Sequence, residues 1–207
     1  PPDEYPVHGA RIVTGDWMRD ERPRVAAERI LDVAAQLYVE NGINAVGMAE
    51  VARAAGCSRA TLYRYFDSRQ ALQLAFVHRE ARRIGALIAQ DVSGTADPQT
   101  VIVEAMLTAI RLVRRDPTLA AWFQLGDSGL AAQIAHSSEV IESLGAAFLG
   151  QTGVGGEETS RRARWLVRVI VSLLTVPGVD DDDERAMIEQ FVAPVIAGAH
   201  ERDVRSI

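Results

Sequence analysis

Lysine is absent from the 207 residues, and cysteine occurs once, as Cys57. All 22 basic residues are therefore arginine. A single thiol excludes an internal disulfide and any zinc cluster built on cysteines. Long apolar runs are also missing. Residues 169–176 form one of the longest, far short of the roughly 20 residues that a membrane span needs. The first twenty residues carry Asp3, Glu4 and Asp16 and hold no apolar core of signal-peptide length. The expectation is a soluble, cytoplasmic protein with no membrane partner. Alternating apolar and polar runs between turn signals are lacking, so no strand is expected. Four histidines, His8, His78, His136 and His200, are scattered without metal-ligand spacing, and no glycine-rich phosphate loop follows a strand. Metal, cofactor and a catalytic cluster are accordingly not expected, and the chain does not read as an enzyme.

What is present is an ordinary globular composition, 48% hydrophobic and 24% charged, enough to bury a sizeable core. The net charge of -6 runs against a DNA-binding role, but its distribution is uneven. Residues 24–83 hold nine arginines against six acids, whereas residues 84–207 hold ten against seventeen. A basic segment beside an acidic remainder fits a DNA-reading end and a body that avoids DNA.

Helical periodicity runs through the chain. Residues 1–22, with Pro1, Pro2, Pro6, Gly9 and Gly15, read as a flexible arm, and Pro23 sits where a helix can start. Arg11, Arg19, Arg22 and Arg24 fit an arm in the minor groove or, equally, a solvated tail. Val25, Ala26, Ile30, Val33, Ala34, Leu37 and Tyr38 recur at three- and four-residue steps, which predicts an amphipathic helix over 24–41 ended by Asn41-Gly42. Short helices are expected over 48–55 and 58–66, then longer ones over 69–90, 99–115, 117–125, 129–149, 157–176 and 183–199. The fold class is all-α.

The informative stretch is residues 42–72, GINAVGMAEVARAAGCSRATLYRYFDSRQAL. Two short helices are joined by a tight turn at Ala55-Gly56-Cys57, where Gly56 suits a left-handed backbone. Ala52 is small enough for a close crossing, and Val51 and Leu62 supply the apolar seam. This is a helix-turn-helix pattern, whose second helix enters the major groove. That helix carries Ser58, Arg59 and Thr61 at its start, followed by Tyr63, Arg64 and Tyr65. Arginine is the commonest reader of guanine, and the phenols can hold phosphate. Arg69 stands at the start of the next helix, where the dipole also favours a phosphate. Phe66 reads as core, and Cys57 as a small buried hydrophobe.

This sequence resembles the TetR family of transcriptional regulators. The resemblance is carried by Gly42, Val51-Ala52, Ala55-Gly56, Ser58, Thr61-Leu62-Tyr63, Tyr65-Phe66 and Ser68-Arg69 followed by Leu72, and covers about residues 24–76. It implies a homodimer with an N-terminal three-helix DNA-binding domain (residues 23–68) joined to a C-terminal helical ligand-binding and dimerisation domain (residues 69–207). It also implies a double-stranded DNA operator as partner, and the last two long helices as the dimer interface. Three positions depart from the family's pattern. Gly47 replaces the usual threonine before Met48, Arg69 a lysine, and Ala60 a frequent glycine. Met48 with Ser58, Arg59, Thr61, Tyr63, Arg64, Tyr65 and Arg69 make up the candidate DNA-binding set.

In the remainder, residues 157–176 are apolar nearly all round and must be covered on several sides. Five consecutive acids, residues 180–184, suit the positive end of the following helix, and Pro194 should kink it. Trp165, Val169, Leu173, Ile188, Phe191 and Val195 are the candidate dimer contacts, with packing inside one chain as the alternative. Met106, Leu107, Ile110, Trp122, Phe123 and Phe148 are candidates for a pocket taking a small, largely apolar ligand, though helical aromatics also serve as plain core. An enzyme and a helical protein-interaction module are the rival classes. Steep salt dependence of DNA binding separates the expected regulator from the latter.

Overall fold

A computed structural model of the chain describes residues 17–94, 97–124, 128–154 and 156–198, with the side chains of 17–22, 128, 136 and 137 left out. Every regular element among the described residues is helical, with no strand among them. Helix α1 (Trp17–Asn41) begins earlier than Pro23, which lies inside it. A proline forfeits one bond to the carbonyl four residues back, and so close to a helix end few bonds are at stake. The remainder of the expected arm, with Arg11 and His8, lies outside the described residues. So do His200 and the side chains of Arg19, Arg22 and His136.

Gly42, at φ +81°, ends α1 and donates its N–H to the Tyr38 carbonyl at 3.0 Å. Helices α2 (Met48–Ala54) and α3 (Arg59–Tyr65) follow, and α4 (Arg69–Asp91) is capped by Ser68, whose hydroxyl accepts from the Ala71 N–H at 3.0 Å. In the body, α5 (Pro98–Arg115) is the central helix, buried along most of its length between α4, α9 and α11. Asp97 caps it, and Pro98 occupies the first turn, where its missing N–H costs nothing. Helix α6 (Pro117–Ala120) tightens into a 3-10 turn, Ala121–Phe123.

The single helix expected over 129–149 is two, α7 (Ser128–Ser137) and α8 (Glu139–Gln151). Ser138 breaks it. Its hydroxyl caps α8 by accepting from the Ile141 N–H at 3.2 Å and meets His78 Nε2 of α4 at 2.8 Å. Burial first, and the charge of Arg82 second, hold the His78 imidazole below its ordinary pKa. Serine tolerates a helix interior, so only this tertiary contact gives the break away.

Helix α9 (Thr159–Thr175) packs against α5, α7 and α8. The chain then turns into α10 (Asp181–Met187), capped by Asp180. The kink expected from Pro194 takes the form of a π-turn, Ile188–Val192, before α11 (Ala193–Ala197). No described helix is long and apolar enough to cross a membrane.

The N-terminal helices dock directly on the body. Tyr38 of α1 places its ring edge on Phe76 of α4 (6.0 Å) and on Trp122 of the 3-10 turn (5.7 Å), and Phe76 and Trp122 stack at 5.7 Å. All three are buried.

Candidate nucleic-acid interface and ligand cavity

The turn between α2 and α3 is built as the sequence suggests. Gly56 has φ +70°, and Cys57 donates its N–H back to the Ala52 carbonyl at 2.9 Å. Ser58 caps α3 by accepting from the Thr61 N–H at 3.0 Å, and its Oγ also meets Thr61 Oγ1 at 2.9 Å. Val51, Ala52 and Leu62 are buried between the helices. That packing fixes which side of α3 faces out. Arg59, Ala60, Arg64 and Tyr63 (41% exposed) stand in solvent, while Thr61 and Tyr65 are half-buried and the Tyr65 ring lies on the core.

Met48 departs from its expected place. It is 7% exposed and part of the core, so its side chain does not reach the surface where DNA is expected. Helix α2 starts at Gly47 without a side-chain cap. Arg69 is half-buried and donates to Asn44 Oδ1 at 3.4 Å. Burial pushes the Tyr38 phenol up to about 12, and the Arg69 charge opposes this, so the phenol stays protonated at neutral pH.

The arginines divide into two kinds. Most of those of the body, Arg82 and Arg115 aside, are held by acids, among them Arg83 with Glu80 and Asp116, Arg114 with Glu184, Arg164 with Glu142, and Arg185 with Glu104. Arg79 of α4 bridges to α1 through Glu28 (3.1 Å) and Asp32 (2.8 Å) and also holds Glu80. On the outer face of α3, Arg59 and Arg64 take no acidic partner among the described residues.

A cavity of about 350 Å³ lies among α4, α5, α8 and α9 and the 3-10 turn. Met106, Trp122, Phe123 and Phe148 line it as expected; Leu107 and Ile110 do not. Helix α5 turns Ala105, Met106, Ala109 and Val113 to the cavity, at steps of one, three and four residues. Leu107 and Ile110 are rotated off that face and pack in the core. The sequence reading missed the small residues that leave the space open: Ala81, Gly85, Ala89, Ala131, Ala135, Gly145 and Ala147. The signal was their recurrence on several helices. Glu80 is the charged lining residue, and Arg79 and Arg83 each take one of its oxygens, at 2.9 and 2.7 Å.

The candidate dimer contacts also separate. Trp165, Phe191 (68% exposed) and Val195 (66%) are exposed, and Val169 is half-buried. Leu173 and Ile188 are buried in the chain's own core, at 8% and 0% exposed, so they are not free to meet a partner. The two helices are apolar on more than one side, and intramolecular packing claimed these two residues. Val176 and Val179, at the turn after α9, are exposed apolar residues as well.

Comparison with known proteins agrees with this geometry. Residues 30–76 match the family model for bacterial regulatory proteins of the tetR family. The chain is 48% identical over 185 residues to the HTH-type transcriptional regulator Rv1255c of Mycobacterium tuberculosis, covering 89% of this chain and 92% of the relative. It is 28% identical to the HTH-type transcriptional repressor KstR of Mycolicibacterium smegmatis, over 64% of this chain and 67% of that one. Among solved structures, RolR in complex with its ligand resorcinol superposes with a TM-score of 0.65 at 21% identity, covering 87% of this chain and 97% of the other. Rv1255c and KstR are both HTH-type regulators of transcription. With the outward arginines and tyrosine of α3, the buried Val51–Leu62 seam and the left-handed Gly56 on one short motif, the chain belongs to the TetR family of DNA-binding, helix-turn-helix transcriptional regulators.

Proposed function

We propose that the chain is a ligand-responsive repressor that binds a palindromic operator as a homodimer, in the bacterial cytoplasm. The observation that carries this reading is the uncompensated charge of Arg59 and Arg64 on α3, set against a body whose cations are largely neutralised by its own acids. Arg59 and Tyr63 contact bases or phosphates in the major groove. Arg64, Ser58, Thr61 and the Tyr65 hydroxyl support them, and Arg69 holds a phosphate at the start of α4. Trp165, Val169, Phe191 and Val195 form the subunit contact. A two-fold dimer then sets two recognition helices about 34–36 Å apart, one turn of DNA. Repression as the direction of control is supported by the relationship to KstR, itself a repressor.

The ligand is a small, largely apolar molecule held by Met106, Trp122, Phe123 and Phe148. Its binding alters the spacing of the two recognition helices and releases the operator.

The test is selection of bound sequences from a random duplex pool, followed by titrations at several salt concentrations. A recovered palindrome whose log affinity falls steeply with log salt is expected, because neutralised phosphates release counterions. Selection that enriches no sequence, with binding insensitive to salt, refutes the reading in favour of a protein-interaction module. A protein saturated with ligand that still holds its operator as tightly refutes induction by that ligand.

A further inference from the structure

We infer that the ligand is an elongated amphiphile, a chain with one polar head, lying along α4 with its head at a mouth near Gln151. The inference rests on the proposed ligand site and specifies its occupant. The shape of the cavity carries it. Its lining on α4 runs from Phe76 to Ala89, thirteen rises of about 1.5 Å, or roughly 20 Å along the helix axis. On α8 it runs from Ile141 to Gln151, about 15 Å. The lined space is therefore drawn out along α4 and α8, a tube suited to a chain rather than a compact ring system.

At one end the lining is made by Phe76 and Trp122, both buried. At the other, a second cavity of about 350 Å³ shares Ala89, Phe148 and Gln151 with the first and continues to Ser93 and Thr152, beyond the C-terminus of α4. Polarity changes along the same line. Inside, both oxygens of Glu80 are committed to arginines, and the one open polar atom on the wall is the buried indole N–H of Trp122, which has no hydrogen-bond partner among the described residues. Away from that indole, along the apolar length of the wall, a polar group would lose its water for little in return. At the mouth stand Gln151, Ser93 and Thr152, with Gln151 and Ser93 exposed to solvent. A staggered chain of roughly 1.5 Å bonds advances about 1.3 Å per carbon, so roughly twelve to sixteen carbons span the tube.

The test is calorimetric titration of the full chain with straight-chain alkan-1-ols of increasing length, from hexanol to tetradecanol, and with naphthalene as a compact apolar control. Affinity should rise about three- to fourfold per methylene, the fold equivalent of about 0.8 kcal/mol per buried CH₂, and level off near dodecanol as the head reaches the mouth. Plugging the mouth with Ser93→Trp, or independently with Thr152→Trp, should weaken dodecanol tenfold or more. Naphthalene, which stays in the main cavity, should be held as before. Affinity that peaks at hexanol or octanol and then collapses would mean a closed, compact cavity and would overturn the inference. Equal loss of naphthalene and dodecanol in a folded plug variant would overturn it as well. Failure of both naphthalene and hexanol to bind wild type would instead remove the ligand site itself, and this inference with it.

Discussion

Replacing Glu184 by alanine should cost the fold about 2–3 kcal/mol, starting from the range of about 3–5 kcal/mol for breaking a buried ion pair. The carboxylate is 3% exposed. It accepts from Arg114 Nη1 at 2.8 Å and Nη2 at 2.6 Å, and from the Gly178 N–H at 2.8 Å. Arg114 Nη2 also donates to the Leu173 carbonyl at 3.0 Å. One carboxylate thus ties α5, the end of α9, the turn at Gly178 and α10 together. Its removal leaves a guanidinium with a single carbonyl partner. Arg114 is 32% exposed, so water recovers part of the loss, which lowers the figure from the full buried-pair range. Glu184→Gln keeps the shape and the acceptor for Gly178, and should cost about half as much.

The assay is urea unfolding at a fixed protein concentration, since association contributes to apparent stability. The pH dependence gives an independent readout. Hydrogen bonds from Arg114 first, against the cost of burial and with help from Gly178, hold the Glu184 carboxyl below the ordinary 4.5 of a glutamate. A depressed folded pKa means that the unfolded state binds the proton more readily. The contribution is therefore complete above about pH 4.5 and lost as pH falls through the folded value. Glu184→Gln should flatten that acid limb. A loss below about 0.5 kcal/mol for Glu184→Ala, the scatter of ordinary surface changes, would refute the account.

Arg59→Ala and Tyr63→Ala should each weaken operator binding, by about 1–3 kcal/mol where a base contact is lost, with the dimer intact by sedimentation. Unchanged affinity in both would count against α3 as the reading helix. Phe191→Asp together with Val195→Asp should shift the chain toward monomer and weaken operator binding with it; a dimer that persists at micromolar concentration would place the interface elsewhere. Gly56→Ala should destabilise by about 1–2 kcal/mol through the left-handed backbone alone, because a Cβ there meets no atom within 4 Å. A thermal unfolding midpoint equal to wild type would contradict the φ of this turn.

The helix-turn-helix was legible because its signals are local. Gly56, the Ser58 cap and the Val51–Leu62 spacing act within a dozen residues and do not depend on what packs nearby. The body was legible as helices but not as faces. Nothing in the sequence of α5 ranks Leu107 and Ile110 below Ala105 and Ala109 as cavity lining, since only the positions of α4, α8 and α9 decide which side is hollow. Pattern reading favours large apolar residues, whereas the cavity exists where side chains are small. Leu173 and Ile188 look as available as Phe191 and Val195 until α9 and the π-turn are seen to pack them against α5. Ser138 ends a helix through His78, sixty residues away, a contact with no local mark.

The aromatic cluster of Tyr38, Phe76 and Trp122 has a consequence for how such a protein can diversify. Its members come from the first helix of the DNA-reading head, the connecting helix and the cavity wall, and each is buried by the other two. A head cut free at residue 68 would leave the Tyr38 ring without either neighbour, exposing apolar surface in a segment too small to replace it. Exchange of heads between such proteins as cassettes is thereby penalised. Substitution on the outer face of α3, which carries none of these rings, leaves the cluster intact.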